Sequence, residues 1–160
     1  MPDFKVTIHD TIDRPKRGGD HQSFNKHGFT AIRFIEGLET DKLHHSAGDV
    51  IERIHFPYHA RVVRADIALL ANLASAPPTP EAPEVKRIEI GIELSWKATE
   101  GARSYLVAGR RGGLEFEDVV EARGLGLISN IKGDAGESFC VAAVDSRGNI
   151  SLFSPEAALK

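Results

Sequence analysis

The chain has 160 residues, 41% hydrophobic and 27% charged, with a formal net charge of -3, which fits a soluble globular protein of one domain or two small ones. That balance gives no electrostatic reason to expect nucleic acid or an anionic membrane surface as partner, and no apolar run approaches the ~18 residues of a membrane span. The single cysteine, Cys140, excludes an internal disulfide and any thiolate-rich metal site.

The first ten residues have neither the basic start nor the apolar core of a signal peptide. Phe4–His9 alternates apolar and polar residues, as a strand with one buried face does. Charged residues, Pro15 and a glycine pair then make a loop that leads to Asp20, expected to cap a short helix over His21–Lys26 that His27 and Gly28 close. Thr30–Ile35 is β-branched and aromatic, so the order strand, helix, strand predicts a parallel pair in an α/β sheet. The loop Leu43–Val50 follows, with His44 and His45 side by side and Asp49 four residues after His45. Neutral imidazole is the commonest protein ligand for zinc, and a carboxylate at that spacing could orient the ring or anchor the loop. From Pro57 onward the apolar residues Val63, Ile67, Leu70 and Ala74 recur at helical spacing, with Val62, Leu69 and Leu73 widening the stripe, predicting an amphipathic helix that covers the sheet.

All seven histidines precede residue 60, whereas Trp96 and Cys140 lie after residue 90, so two differently built halves are expected. Between them four prolines in seven residues forbid helix and favour an extended spacer. The division expected is residues 1–76, a proline-rich linker over 77–83, and residues 84–160. In the last part, Ile88–Trp96 alternates with period two as one strand, Tyr105–Ala108 continues the pattern, and residues 138–151 read as strand, turn at Gly148 and Asn149, and strand. The context of Cys140 suggests a buried thiol, and that of Trp96 a core anchor.

Two resemblances sharpen this. Gly19-Asp20-His21-Gln22-Ser23-Phe24, then an apolar strand, then His44-His45-Ser46-Ala47-Gly48-Asp49 and the helix from Pro57 resemble the C-terminal part of the di-zinc aminopeptidases, the zinc exopeptidase family that includes glutaminyl cyclases and transferrin receptor. The resemblance covers residues 3–75. It implies the end of a mixed α/β sheet with a covering helix, two zinc ions in the complete enzyme, His45 as a zinc ligand, and Asp20, His21, His44 and Asp49 lining or bracing the site. It departs at Gly19, where the family often has Ser, and at Ser46, where Thr is usual. The Leu-Ser-Trp strand, the Tyr-x-Val strand and the Val-Asp-x-x-Gly-Asn-x-Ser turn resemble a fibronectin type III domain over residues 83–158, an all-β sandwich.

The expected function is the C-terminal portion of a zinc-dependent aminopeptidase that hydrolyses N-terminal residues from peptides, its paired zinc ions polarising the scissile carbonyl and activating water. Zinc needs about four ligands, and the remaining ligands and the general base lie, by the resemblance, upstream of this segment, so the fragment by itself is expected to be inactive. The alternatives are a non-catalytic interaction protein with a degenerate peptidase-like surface, or glutaminyl cyclisation. The sandwich would take a protein or polysaccharide partner. A periplasmic or secreted parent is expected.

Overall fold

The computed structural model describes Thr7, residues 19–35, Leu43, residues 45–111, Phe116, residues 118–129 and residues 137–159. The chain forms two compact units, Met1–Asp66 and Ile67–Lys160. The strand expected over Phe4–His9 lies outside the described residues except for Thr7, and His44 also lies outside them. Among the described residues no helix is long and apolar enough to cross a membrane.

In the first unit, α1 spans Asp20–Lys26, with Gly19 rather than Asp20 as its cap. Asp20 therefore sits in the first turn, where its carboxylate faces the positive end of the helix dipole. The helix ends as the sequence predicts: Gly28 takes φ 82, its N–H donates to Asn25 O at 3.1 Å, and Phe29 N–H donates to Phe24 O at 3.0 Å. These two bonds form a Schellman closure. The strand expected over Thr30–Ile35 is irregular instead, which removes the parallel pair from the described residues. β-Branched composition favours a strand only where a neighbouring edge supplies a ladder. Here the backbone of Ala31 pairs with a side chain: Asn25 Nδ2 donates to Ala31 O at 3.0 Å and Ala31 N–H donates to Asn25 Oδ1 at 2.9 Å.

A 3-10 turn, Ile51–Arg53, precedes α2, Phe56–Ser75. The helix is where periodicity predicts it, but the centre of the stripe expected to cover a sheet is outermost, with Ile67 and Leu70 60% and 64% exposed, whereas Val62, Leu69 and Leu73 at its edge are half-buried. The half-buried positions are Tyr58, Val62, Ala65, Asp66, Leu69, Asn72 and Leu73. At 100° per residue these fall on a different side of the helix from Val63, Ile67, Leu70 and Ala74. α2 is thus apolar on two faces, and periodicity alone does not say which one is covered.

The second unit is a β-sandwich. A three-stranded sheet has the order β1–β2–β5, made of Glu84–Ile88, Gly91–Ser95 and Gly126–Ser129. A four-stranded sheet has the order β4–β3–β6–β7, made of Asp118–Ala122, Ser104–Arg111, Glu137–Val144 and Ala157–Ala158. All pairs are antiparallel. The run Ile88–Trp96, expected as one strand, is broken into a hairpin by a turn at Glu89 and Ile90, with Ile88 opposite Gly91. Ile90 continues the alternation in sequence but is 66% exposed at the tip. Past the turn, Ile92, Leu94 and Trp96 point inward with Tyr105, Val107, Phe139 and Val141 to form the core. Trp96 and Tyr105 stack at 5.4 Å, and the Tyr105 hydroxyl accepts the Thr99 N–H at 2.8 Å, which keeps this buried polar atom satisfied.

Cys140 is fully buried, as its context suggests, and burial pushes its thiol up to about 11. After β6 the turn is at Ser146 and Arg147, two residues earlier than expected, with Gly148 in the left-handed region at φ 85. The expected return strand reduces to one bridge, Val144 to Ile150. Hydroxyls continue its work, because Ala143 N–H donates to Ser151 Oγ at 2.9 Å and Val141 N–H to Ser154 Oγ at 3.1 Å.

Candidate functional site

The loop from Leu43 to Asp49 is held by its own backbone. Ser46 N–H donates to Leu43 O at 2.9 Å, the Ser46 hydroxyl donates to the same oxygen at 2.5 Å, Gly48 N–H donates to Ser46 Oγ at 3.2 Å, and Asp49 N–H donates to Ser46 O at 3.1 Å. This double turn forces His45 to φ 62, a left-handed conformation in a residue that has a Cβ. Such conformations cost on the order of 1 kcal/mol or more and persist where the surroundings over-determine them, often at sites of function. Ser46 is therefore the residue that shapes the loop around the histidine. A threonine at this position would carry the same hydroxyl.

At the start of α1, Asp20 is exposed and His21 is half-buried, with the His21 Nδ1 buried and lacking a hydrogen-bond partner. A Cβ on Gly19 would stand 2.8 Å from that nitrogen and 3.2 Å from Arg33 Cδ. A real Cβ does not approach so closely, so glycine at this position lets the His21 ring lie against the backbone. Asp49 is exposed. Among the described residues no group of three or more His, Cys, Asp or Glu is placed to hold a metal ion. His45, Asp20, His21 and Asp49 are thus not gathered into one centre. About four donors around one ion are what zinc requires, and these side chains do not converge in that way.

A feature the sequence reading did not single out lies at the start of α2. A cleft of about 340 Å³ is lined by Phe34, Ile35, Ile54 and Val62 on its apolar side, with Arg53, His55, Tyr58 and His59 around them. His55 caps the helix through its ring, since Tyr58 N–H donates to His55 Nδ1 at 3.1 Å, while His59 N–H donates to His55 O at 3.0 Å. An Nδ1 that accepts leaves the proton of neutral imidazole on Nε2. The available signal was the four-residue spacing of His55 and His59 across Pro57, which puts both rings near one side of a helix start.

No protein-family model matches the chain. It is 34% identical over 125 residues to a protein of Pyricularia oryzae named probable zinc metalloprotease, a match covering 67% of this chain and 24% of that protein. It is 39% identical over 86 residues to a protein of the same name from Pyrenophora tritici-repentis, covering 48% of this chain and 18% of that one. The chain thus spans about a quarter or less of the length of the curated relatives it matches. Among solved structures, an Fn3-like protein from Clostridium thermocellum is 28% identical, with a TM-score of 0.43, covering 54% of this chain and 94% of its own. The sixth fibronectin type III domain of human fibronectin type III domain containing protein 3 is 16% identical, with a TM-score of 0.45, covering 53% and 85%.

Proposed function

We propose that the chain is the C-terminal part of a zinc-dependent exopeptidase of the aminopeptidase type, ending in a fibronectin-like sandwich, and that the peptide bond is hydrolysed by the whole protein. The observation that carries this reading is the 34% identity over 125 residues to a named zinc metalloprotease several times longer than the match. Two structural facts support it. None of the described residues up to Asp66 is buried, although Phe24, Phe29, Ile32, Ile51 and Phe56 lie among them, each more than half exposed. Apolar faces of that kind fit a larger body to pack against. The strained His45, shaped by Ser46, is in addition where the resemblance expects a zinc ligand, the other ligands coming from elsewhere in the parent.

In this reading His45 is the one residue of the segment that holds metal, and Asp49, His21 and Asp20 brace or line the site, as does His44. An exported parent, periplasmic or secreted, is part of the proposal, and fractionation of the parent with the extracellular or periplasmic pool is the expected result.

The test compares the longest natural polypeptide containing this segment with its His45→Ala variant, measuring released N-terminal amino acids and bound zinc. The proposal expects zinc-dependent release that falls by at least ~10²-fold in the variant, with loss of bound metal. It also expects no turnover from the 160-residue chain with added zinc. A parent that binds zinc and cleaves equally well with Ala at position 45 would contradict it.

A further inference from the structure

The second unit begins inside α2, at Ile67, and one side chain of that helix is engaged with a residue 78 positions away. Asn72 Nδ2 donates to Ile150 O at 2.8 Å, and Ile150 N–H donates to Asn72 Oδ1 at 3.0 Å. Ile150 is the bridge partner of Val144. The bonds flanking that bridge, Asp145 N–H to Asn149 O at 3.1 Å and Ser151 N–H to Ala143 O at 2.9 Å, make it a non-hydrogen-bonded pair. The N–H and C=O of Ile150 consequently point away from β6, and left alone they would form a free edge. The planar amide of Asn72 presents one donor and one acceptor side by side and takes both.

The receiving loop is itself fixed. The Asp145 carboxylate accepts N–H groups from Arg147 at 2.7 Å and Asn149 at 2.9 Å, and the Asn149 Nδ2 at 2.8 Å. Both Asn72 and Ile150 are half-buried, and Pro80 and Pro83, beyond the end of the helix, are buried. Val85 packs against the sandwich core.

We propose that Asn72 is a junction residue that fastens the last turns of α2 to the β6–β7 connection, making Ile67–Ser75 a structural part of the sandwich. The proline-rich stretch then joins two segments of the same unit. A free tether would leave the Ile150 backbone groups to solvent and the last helical turn to fray.

The test uses the full chain and its Asn72→Ala and Asn72→Asp variants, with amide hydrogen exchange read residue by residue. Asn72→Asp keeps the shape but turns a carboxylate oxygen toward the Ile150 carbonyl. Exchange at Ile150 should quicken by about tenfold in Asn72→Ala and more in Asn72→Asp, as expected for loss of a hydrogen bond plus an added repulsion. The amides of Leu73 and Ser75 should quicken with it, and those of Cys140 and Val141 should hold. Three results would each overturn the proposal: unchanged exchange at Ile150 in both variants, a change at Ile150 with the helix end unaffected, or loss of protection throughout β6.

Discussion

Two asparagines do the same thing in the two units with different consequences. Asn25 pairs its amide with the backbone of Ala31, and Asn72 pairs its amide with the backbone of Ile150. The first clamp joins residues six apart and holds an irregular stretch in which no side chain is buried and Ile32 is 63% exposed. The second joins residues 78 apart next to a core in which Ile92 and Val141 are fully buried. A bidentate amide can replace one rung of a ladder. It cannot replace the burial that makes a strand stable, because each net hydrogen bond contributes about 1 kcal/mol while ordering a residue costs about 1 to 2 kcal/mol. The difference between the units is therefore apolar burial, present after Ile67 and missing from the described residues before it.

The sharpest way to break this contrast is to remove core volume. Trp96→Ala should destabilise the sandwich by roughly 3 to 5 kcal/mol, enough to unfold a small domain, as measured by urea denaturation followed by circular dichroism. Next in size, Tyr105→Phe leaves the Thr99 N–H without its acceptor and should cost about 1 to 3 kcal/mol in the same measurement. A third effect depends on pH. Burial, with a smaller contribution from Glu156 and against the opposing Arg110, raises the Cys140 thiol to about 11 from an ordinary 9.0. The folded state then holds this proton more tightly than the unfolded chain does. Its stabilisation is fully present below pH 9 and is lost as the pH rises toward 11. The urea midpoint should fall over that window more steeply in the wild type than in Cys140→Ala, and a thiol reagent at pH 8 should leave the folded protein unmodified. The smallest effect belongs to the outer face of α2, where Leu70→Ala should change stability by no more than about 0.5 kcal/mol in the isolated chain. A cost above 2 kcal/mol there would mean that this face is covered and the contrast is wrong.

Much of the sandwich was legible because period-two alternation and burial agree over Ile92, Leu94 and Trp96 and over β6. The hairpin at Glu89 and Ile90 was hidden by the same signal, since Ile88, Ile90 and Ile92 carry the alternation straight through the turn. For α2, spacing located the helix and placed Val62, Leu69 and Leu73 at the edge of the apolar stripe, but it centred that stripe on Val63, Ile67 and Leu70, which are outermost. Thr30–Ile35 has strand composition, yet a strand is a property of pairs, and no pairing edge can be read from six residues. The histidine loop was recognisable by its motif. The left-handed backbone at His45 was not, because it arises from hydrogen bonds made by Ser46. Both asparagine clamps were out of reach, since nothing local marks a side chain that pairs with a remote backbone.

Hydrogen exchange on the full chain, verified as a monomer, tests most directly the claim that the stability of this chain resides in the sandwich and that the apolar faces before residue 67 await a larger body. The account predicts strong, cooperative protection of the Phe139–Val144 amides and little protection across residues 32–35. Equal and strong protection of both stretches would contradict it.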